Sequence, residues 1–271
     1  MIMPNMIYDI RTTKNAQQTL VNLTGVSIPI WEQFISRERE YEYTEDLVAD
    51  VIKSYGDLPS NYRDFIFVYA HITTSANKCE SFYKHGILDL KQSYLCHDSE
   101  LREFFGMHDI HIDLNEQILK YHRQVYDISY RTCPRKDTEA YKCWSIGRKF
   151  YYDYNTCGFL SVRNGSPYGG QVHQRPEILM DIDELLGLSL SREWMFNHKS
   201  YVIVAKVNGE NINYHGYDEE SDEDKVLNYL TKAYMNAFYE PNEKILLIKS
   251  KVQIPPCDIL DIKPMLKWEN L

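Results

Sequence analysis

The segment that most constrains the fold of this chain is a continuous apolar run at residues 65–70, with the sequence F-I-F-V-Y-A. An uninterrupted run of this length, rich in aromatic and β-branched residues, predicts a buried strand. His71 follows the run, and hydroxyl residues follow from Thr73. A helical pattern comes next and stops at Gly86, a residue type that commonly ends helices. The sequence therefore predicts a strand, a polar turn and a short helix, with His71 where the strand ends.

Other segments with clear periodicity extend this pattern along the chain. Strands are predicted at residues 149–154, 158–162, 201–207 and 245–248. Helices are predicted across residues 99–126, at 178–186 and from 226 onward. We find no internal repeat and no interdomain linker, so we expect one compact α+β unit. Within it, residues 1–63 are expected to form a helical N-terminal cap and residues 64–271 the main domain.

Composition excludes several classes of protein. The 271 residues are 44% hydrophobic and 25% charged, which is ordinary globular usage. The net charge of −9 repels phosphate backbones and anionic membranes, which disfavours general nucleic-acid coating. The six cysteines show no C-x-x-C spacing, which favours a reducing compartment. No apolar run approaches the roughly 20 residues of a membrane helix, and the N-terminus is not typical of a signal peptide. A cytoplasmic protein without a membrane partner is expected.

The segment from His71 to Leu88, H-I-T-T-S-A-N-K-C-E-S-F-Y-K-H-G-I-L, resembles the first motif of the ADP-ribosyltransferase superfamily. In its His-Tyr-Glu branch, which includes poly-ADP-ribose polymerases, diphtheria-like toxins and, more loosely, DNA-targeting toxins, a strand ends in His and Ser or Thr follows. A helix with Asn then closes at Gly-Leu or Gly-Ile. Here His71, Thr73, Asn77 and Gly86 match in order, but an isoleucine replaces the glycine that directly follows the family histidine.

This resemblance implies a split mixed β-sheet of ADP-ribosyltransferase type that holds NAD in a cleft. It implies that His71 contacts the ribose next to adenine, that Thr73 and Asn77 help to bind NAD, and that a tyrosine stacks on nicotinamide. It also implies a late catalytic glutamate at the start of a strand. Glu243, just before the apolar run at residues 245–248, is the best match, and Glu240 is the nearest competitor.

Two tyrosine segments compete for the nicotinamide wall. Tyr152 lies in K-F-Y-Y-D-Y, which is predicted to be a strand, and Tyr168 lies in S-P-Y-G-G, whose glycines permit close approach of a ligand. We expect both to line the cleft. Arg175 follows in H-Q-R-P-E, and its forked donors suit a pyrophosphate. A surface ion pair between Arg175 and Glu177 is the structural alternative.

Metal and thiol chemistry have weaker support in the sequence. Neither Cys79 with His85 nor Cys96 beside His97 has the paired spacing of zinc sites, so no metal is expected. A cysteine hydrolase built on Cys157 has no local signature. NAD, bound as a substrate, is the expected cofactor, and without a G-x-G-x-x-G sequence it would not be held in a Rossmann manner.

The expected function is transfer of ADP-ribose from NAD to a macromolecular acceptor. The acidic balance favours a protein over nucleic acid, although a basic groove could reverse this preference; its candidate residues are Arg131, Arg135, Lys136 and Arg148. Bacterial enzymes of this type often act as toxins or phage-defence effectors, so the resemblance also implies an antitoxin or regulatory partner. The alternative is a non-catalytic module that keeps the fold and binds a nucleotide or a protein.

Overall fold

The structure is a computed structural model that describes residues 6–153, 155–162, 168, 170–214 and 220–265. The helices are α1 (Thr13–Thr24), α2 (Ile28–Ile35), α3 (Thr44–Tyr55), α4 (Glu80–His85), α5 (Leu90–Leu95), α6 (Glu100–Met107), α7 (Glu139–Tyr151), α8 (Ile178–Leu186), α9 (Leu190–Asn197) and α10 (Asp222–Phe238). The strands are β1 (Met6–Tyr8), β2 (Phe65–Ser75), β3 (Ile110–Asp113), β4 (Ile118–Tyr121), β5 (Gln124–Asp127), β6 (Cys157–Ser161), β7 (Lys199–Asn208), β8 (Ile212–Asn213), β9 (Lys244–Ile248) and β10 (Ile259–Pro264).

The main sheet has β2 near its centre, in the order β10-β7-β2-β6-β9-β8. These pairings are antiparallel, whereas β1 joins the first residues of β2 in parallel. On one side of β2, residues 65–67 pair with β1 and Ala70 pairs with Phe159 of β6. The mixed α+β class predicted from the sequence is therefore confirmed. A second, antiparallel sheet has the order β3-β4-β5.

Strand β2 continues four residues beyond His71, to Ser75. All of β2 except Phe65 pairs with β7, from Ile66 opposite Asn208 to Ser75 opposite Lys199. The prediction that the strand ends at His71 is therefore wrong. Pairing with a long neighbour holds the polar residues after His71 in the sheet, although their own pattern favours a turn.

Two other secondary-structure predictions need correction. The helix predicted across residues 99–126 ends at Met107, and the rest of that segment forms β3, β4 and β5. The strand predicted at residues 149–154 is wrong, because residues 149–151 are the end of α7, which begins after the capping residue Thr138. The strands predicted at 158–162, 201–207 and 245–248 are present, and their ends differ from the prediction by at most two residues.

Buried apolar side chains form two large clusters. The first contains β1, α1, α2, α3 and α10 together with one face of the main sheet. The second contains α6, α7, α8 and α9 with the small sheet. Residues 6–63 therefore share a core with α10, near the other end of the chain. Within the described residues, no helix combines the length and the apolar character needed to cross a membrane.

Candidate functional site

Two adjoining cavities lie against the C-terminal half of β2. The first has a volume of about 250 Å³ and the second about 440 Å³. They share a lining that consists of His71, Ile72, Leu88, Leu90, Val172 and Pro176. Because they share these walls, we treat them as one cleft. The cleft is in the size range of small-molecule sites, about 300–1,000 Å³.

His71 is one of the six residues that line both cavities. Its Nδ1 lies 2.9 Å from the carbonyl oxygen of Cys157 on β6. A carbonyl can only accept, so Nδ1 carries the proton and donates it. Burial lowers the pKa of His71 and outweighs the opposing effect of this hydrogen bond. The ring is therefore neutral near pH 7, and its Nε2 can accept a hydrogen bond from a ligand hydroxyl.

Of the two other NAD-binding residues predicted from the first motif, one lies in the cleft and one lies outside it. Thr73 lies on β2 and lines the first cavity. Asn77 lies in the turn after β2, where its side-chain oxygen accepts hydrogen bonds from the Ser75 hydroxyl at 3.0 Å and from the Glu80 amide at 3.2 Å. Asn77 lines neither cavity. Its contacts are those of a residue that shapes the turn.

Arg175 is a buried cation in the wall of the first cavity, with 7% of its surface exposed. Its guanidinium contacts Gln171 Oε1 at 3.4 Å and Met180 Sδ. Among the described residues it forms no ion pair, because Glu177 binds Lys149 Nζ at 2.7 Å instead. A buried charge without a partner is costly, and a bound anion would reduce that cost. The first cavity is therefore suited to an anionic ligand group.

The second cavity combines an aromatic wall with a charged rim. Tyr168 packs edge-on against Phe159 of β6, with ring centroids 5.6 Å apart. Burial raises the pKa of Tyr168, and the charge of Glu177 adds to this effect. Glu177 and Lys149 also line this cavity and form the ion pair described above. An aromatic ring beside a carboxylate can accommodate a flat ligand ring that carries positive charge.

The predicted catalytic glutamate and the second tyrosine lie outside this lining. Glu243 is half-buried, directly before β9, and lines neither cavity. Its charge helps to raise the pKa of Tyr168, so its field reaches the second cavity. Glu240 is exposed. Tyr152 follows the last residue of α7, is 51% exposed and lines neither cavity. Its placement on a strand was wrong, and Tyr154 lies outside the described residues.

Cys157 lines the second cavity but is poorly suited to act as a nucleophile. Burial raises the pKa of its thiol to about 11. The reactive form of cysteine is the thiolate, which is scarce near pH 7 at such a pKa. It is the backbone carbonyl of Cys157, and not its thiol, that contacts His71. The geometry therefore disfavours the cysteine-hydrolase alternative.

Sequence reasoning missed the two glutamates that line the cleft. Glu177 appeared only as a surface partner for Arg175, whereas it lines the second cavity. Glu100, at the start of α6, lines the first cavity and accepts hydrogen bonds from Ser75 Oγ at 2.6 Å and the Ala76 amide at 2.7 Å. No local motif marks either residue, because each reaches the cleft through long-range packing.

Comparisons with known proteins return no match to this chain, whether with family models, curated proteins or solved structures.

Proposed function

We propose that this protein is an NAD-dependent ADP-ribosyltransferase whose substrate binds in the cleft beside β2. The observation that carries the proposal is the buried Arg175, which has no ion-pair partner among the described residues and lines the same cavity as His71 and Thr73. NAD has a pyrophosphate that would supply the missing negative charge. It also has ribose hydroxyls for His71 Nε2 and a cationic ring for the wall around Tyr168.

In the proposed reaction, the bond between nicotinamide and C1′ of its ribose breaks, and the bonding electrons leave with nicotinamide. Positive charge develops on the ribose, and a nucleophile of the acceptor then bonds to C1′ and loses a proton. A carboxylate held near C1′ stabilises the developing cation. The charge balance of the chain favours a protein acceptor over nucleic acid.

Two carboxylates compete for the role of stabilising the cation. Glu243 is the residue implied by the family resemblance, but it lies outside the cavity lining. Glu177 lies in the lining beside Tyr168, but Lys149 partly neutralises it. Glu243 remains our assignment, because a late glutamate directly before a strand belongs to the motif and its charge reaches Tyr168.

The test is to incubate the purified chain with NAD and measure released nicotinamide. Glu243→Gln should lower the rate by about 100-fold or more, the usual effect of removing a group that stabilises developing charge. His71→Ala should lower the rate because NAD loses a contact to its ribose. Glu177→Gln tests whether Glu177, and not Glu243, is the carboxylate that stabilises the developing cation. The matched controls are His111→Ala and Glu116→Gln, which change exposed residues on and beside the small sheet. Arg175→Ala should weaken NAD binding, as measured by calorimetry.

A non-catalytic nucleotide-binding module is the second candidate. One observation favours it: Glu177, the glutamate beside Tyr168, is already paired with Lys149, and Glu243 lies outside the lining. NAD binding that depends on Arg175, with no nicotinamide released by any of the proteins, would support this candidate and overturn catalysis. Absence of NAD binding would overturn both.

A further inference from the structure

Three potential metal ligands, two of which line the first cavity, lie close together outside the residues assigned to NAD. His85 is the last residue of α4, Cys96 follows α5, and Asp98 comes two residues later. One ligand atom from each lies within 4.8 Å of the other two. The sequence did not indicate this group, because proximity along the chain suggests the pairs Cys79 with His85 and Cys96 with His97. The fold instead combines His85 with Cys96.

Hydrogen bonds already hold the three side chains together. His85 Nε2 lies 2.8 Å from Asp98 Oδ1, and Cys96 Sγ donates to the same oxygen at 3.1 Å. Ligand atoms around a tetrahedral zinc ion are roughly 3.3–3.8 Å apart, given bonds of about 2.0–2.3 Å. Small rotations of the side chains would therefore open a space for an ion. Binding would release the thiol proton, and the imidazole would coordinate through Nε2 with its proton on Nδ1.

The backbone fixes the positions from which these ligands project. After His85, the Gly86 amide donates to Phe82 at 2.9 Å, and Ile87 pairs with Ile254 in a β-bridge. Gly86 has φ of 75°, and a Cβ at this position would lie 1.8 Å from the Ile254 oxygen. Before Cys96, helix α5 begins with a capping box at Asp89. The backbone after His85 and the helix before Cys96 are thus held by contacts that do not involve the ligand side chains.

The donor set selects the class of ion. A thiolate, an imidazole and a carboxylate together suit zinc better than magnesium or calcium, which prefer oxygen ligands. Cys96 and Asp98 would supply two negative charges and so balance a divalent ion. Lys84 Nζ, 3.4 Å from Asp98 Oδ2, is 58% exposed and can turn into solvent. His85 and Cys96 also line the first cavity, so an ion that they bind would lie beside the cleft.

We propose that His85, Cys96 and Asp98 bind one Zn²⁺ ion, with a water molecule or a cavity ligand in the fourth position. This site does not depend on the proposed reaction with NAD, because no residue assigned to NAD is a ligand. The proposal replaces the sequence-based expectation that the protein binds no metal.

The test uses the purified full-length chain, dialysed against Zn²⁺ and analysed for metal content. One equivalent of zinc should remain bound to the wild type. Cys96→Ala and His85→Ala should each weaken zinc binding by more than about 10- to 100-fold. Changing a residue that only supports a metal ligand usually has an effect of that size, and removing a ligand itself should cost more. Cys133→Ala and His97→Ala, which change exposed residues of the same types, should retain the ion.

Cobalt provides a second measurement that reports on the ligands. Co²⁺ in place of zinc should give the thiolate-to-cobalt charge-transfer absorption of a site with a cysteine ligand, and this absorption should disappear in Cys96→Ala. Circular dichroism establishes that each variant is folded. Substoichiometric zinc in the wild type, or equal zinc binding by the Cys96 and Cys133 variants, would overturn the proposal. Both readouts are independent of NAD turnover.

Discussion

At the scale of single residues, burial changes the ionisation of groups in and near the cleft. Asp181, on α8, shows this most clearly, because burial raises the pKa of its carboxyl to about 6. Lys149 and Arg148 oppose this shift without cancelling it. One of its oxygens, Oδ2, is buried without a hydrogen-bond partner. The protein therefore keeps a carboxylate near the second cavity at some cost in stability.

Asp181→Asn should remove that cost. The folded chain holds the Asp181 proton more tightly than the unfolded chain, whose carboxyl has a pKa near 3.8. The contribution of Asp181 to the free energy of unfolding should therefore fall as pH rises from about 4 to about 6, and then level off. The variant should lack this fall and be more stable at pH 7 by roughly 1–2 kcal/mol, allowing for partial exposure. Urea unfolding across this pH range measures both effects.

Asp57→Asn, at an exposed position after α3, is the control and should follow the wild-type profile. If Asp181→Asn had the same pH dependence as the wild type, the carboxyl at position 181 would not be the group responsible.

At the scale of elements, Glu100 connects three parts of the structure. It begins α6, binds the end of β2 through Ser75 and Ala76, and lies 3.3 Å from Nε2 of His198, which follows α9. His198 in turn stacks on Trp194 with ring centroids 3.6 Å apart. The indole of Trp194 donates to the Thr74 hydroxyl at 2.7 Å. These contacts hold the far end of β2 against the helices of the second cluster.

Glu100→Gln should weaken this connection. Burial alone would raise the pKa of Glu100, but hydrogen bonds from His198, Ser75 and Ala76 outweigh burial and lower it. A carboxyl with a lowered pKa stabilises the fold above pH 4.5 and loses that contribution as pH falls through its folded pKa. The variant should lose about 1–3 kcal/mol at pH 7, and the difference from wild type should shrink in acid. Glu103→Gln, exposed on the same helix, should have little effect. A difference that stayed constant down to pH 3 would contradict this account.

At the scale of the whole molecule, the first residues and α10 form one packed unit. The Tyr8 hydroxyl donates to the Tyr229 carbonyl at 2.8 Å, and the Asn236 amide donates to the Ile10 carbonyl at 3.0 Å. Trp31 packs against Tyr234 with ring centroids 5.7 Å apart. An N-terminal segment held in this way is expected to unfold with the main sheet and not before it.

Hydrogen exchange in increasing urea tests this expectation. Peptides from residues 44–55 and 226–238 should lose protection at the same urea concentration, because their side chains share one core. Peptides from 178–186, in the second cluster, provide the internal comparison. Loss of protection in 44–55 at clearly lower urea would show that the N-terminal helices open independently.

Sequence reasoning identified the elements whose signals are local. The runs at 65–70, 201–207 and 245–248 are buried strands, and 178–186 is a helix. It failed between residues 108 and 127, where the hairpin connections contain no glycine. Asp109, Gln117 and His122 adopt positive φ there. Positive φ is uncommon for residues other than glycine, so the sequence does not mark these positions as turns. Their apolar neighbours have spacings that also fit a helix, so the small sheet was not foreseen.

The residues of the candidate site likewise fall into those with a local sequence signal and those placed by contacts between distant segments. The sequence alone determined that His71 and Thr73 lie on or beside a buried strand, because apolar runs and hydroxyl clusters are local signals. Only the tertiary structure decided that Arg175 is buried in the same cavity, that Glu177 pairs with Lys149, and that His85 meets Cys96 and Asp98. Burial and charge pairing arise between segments distant along the chain, and no periodicity within one segment encodes which distant side chain will neighbour it.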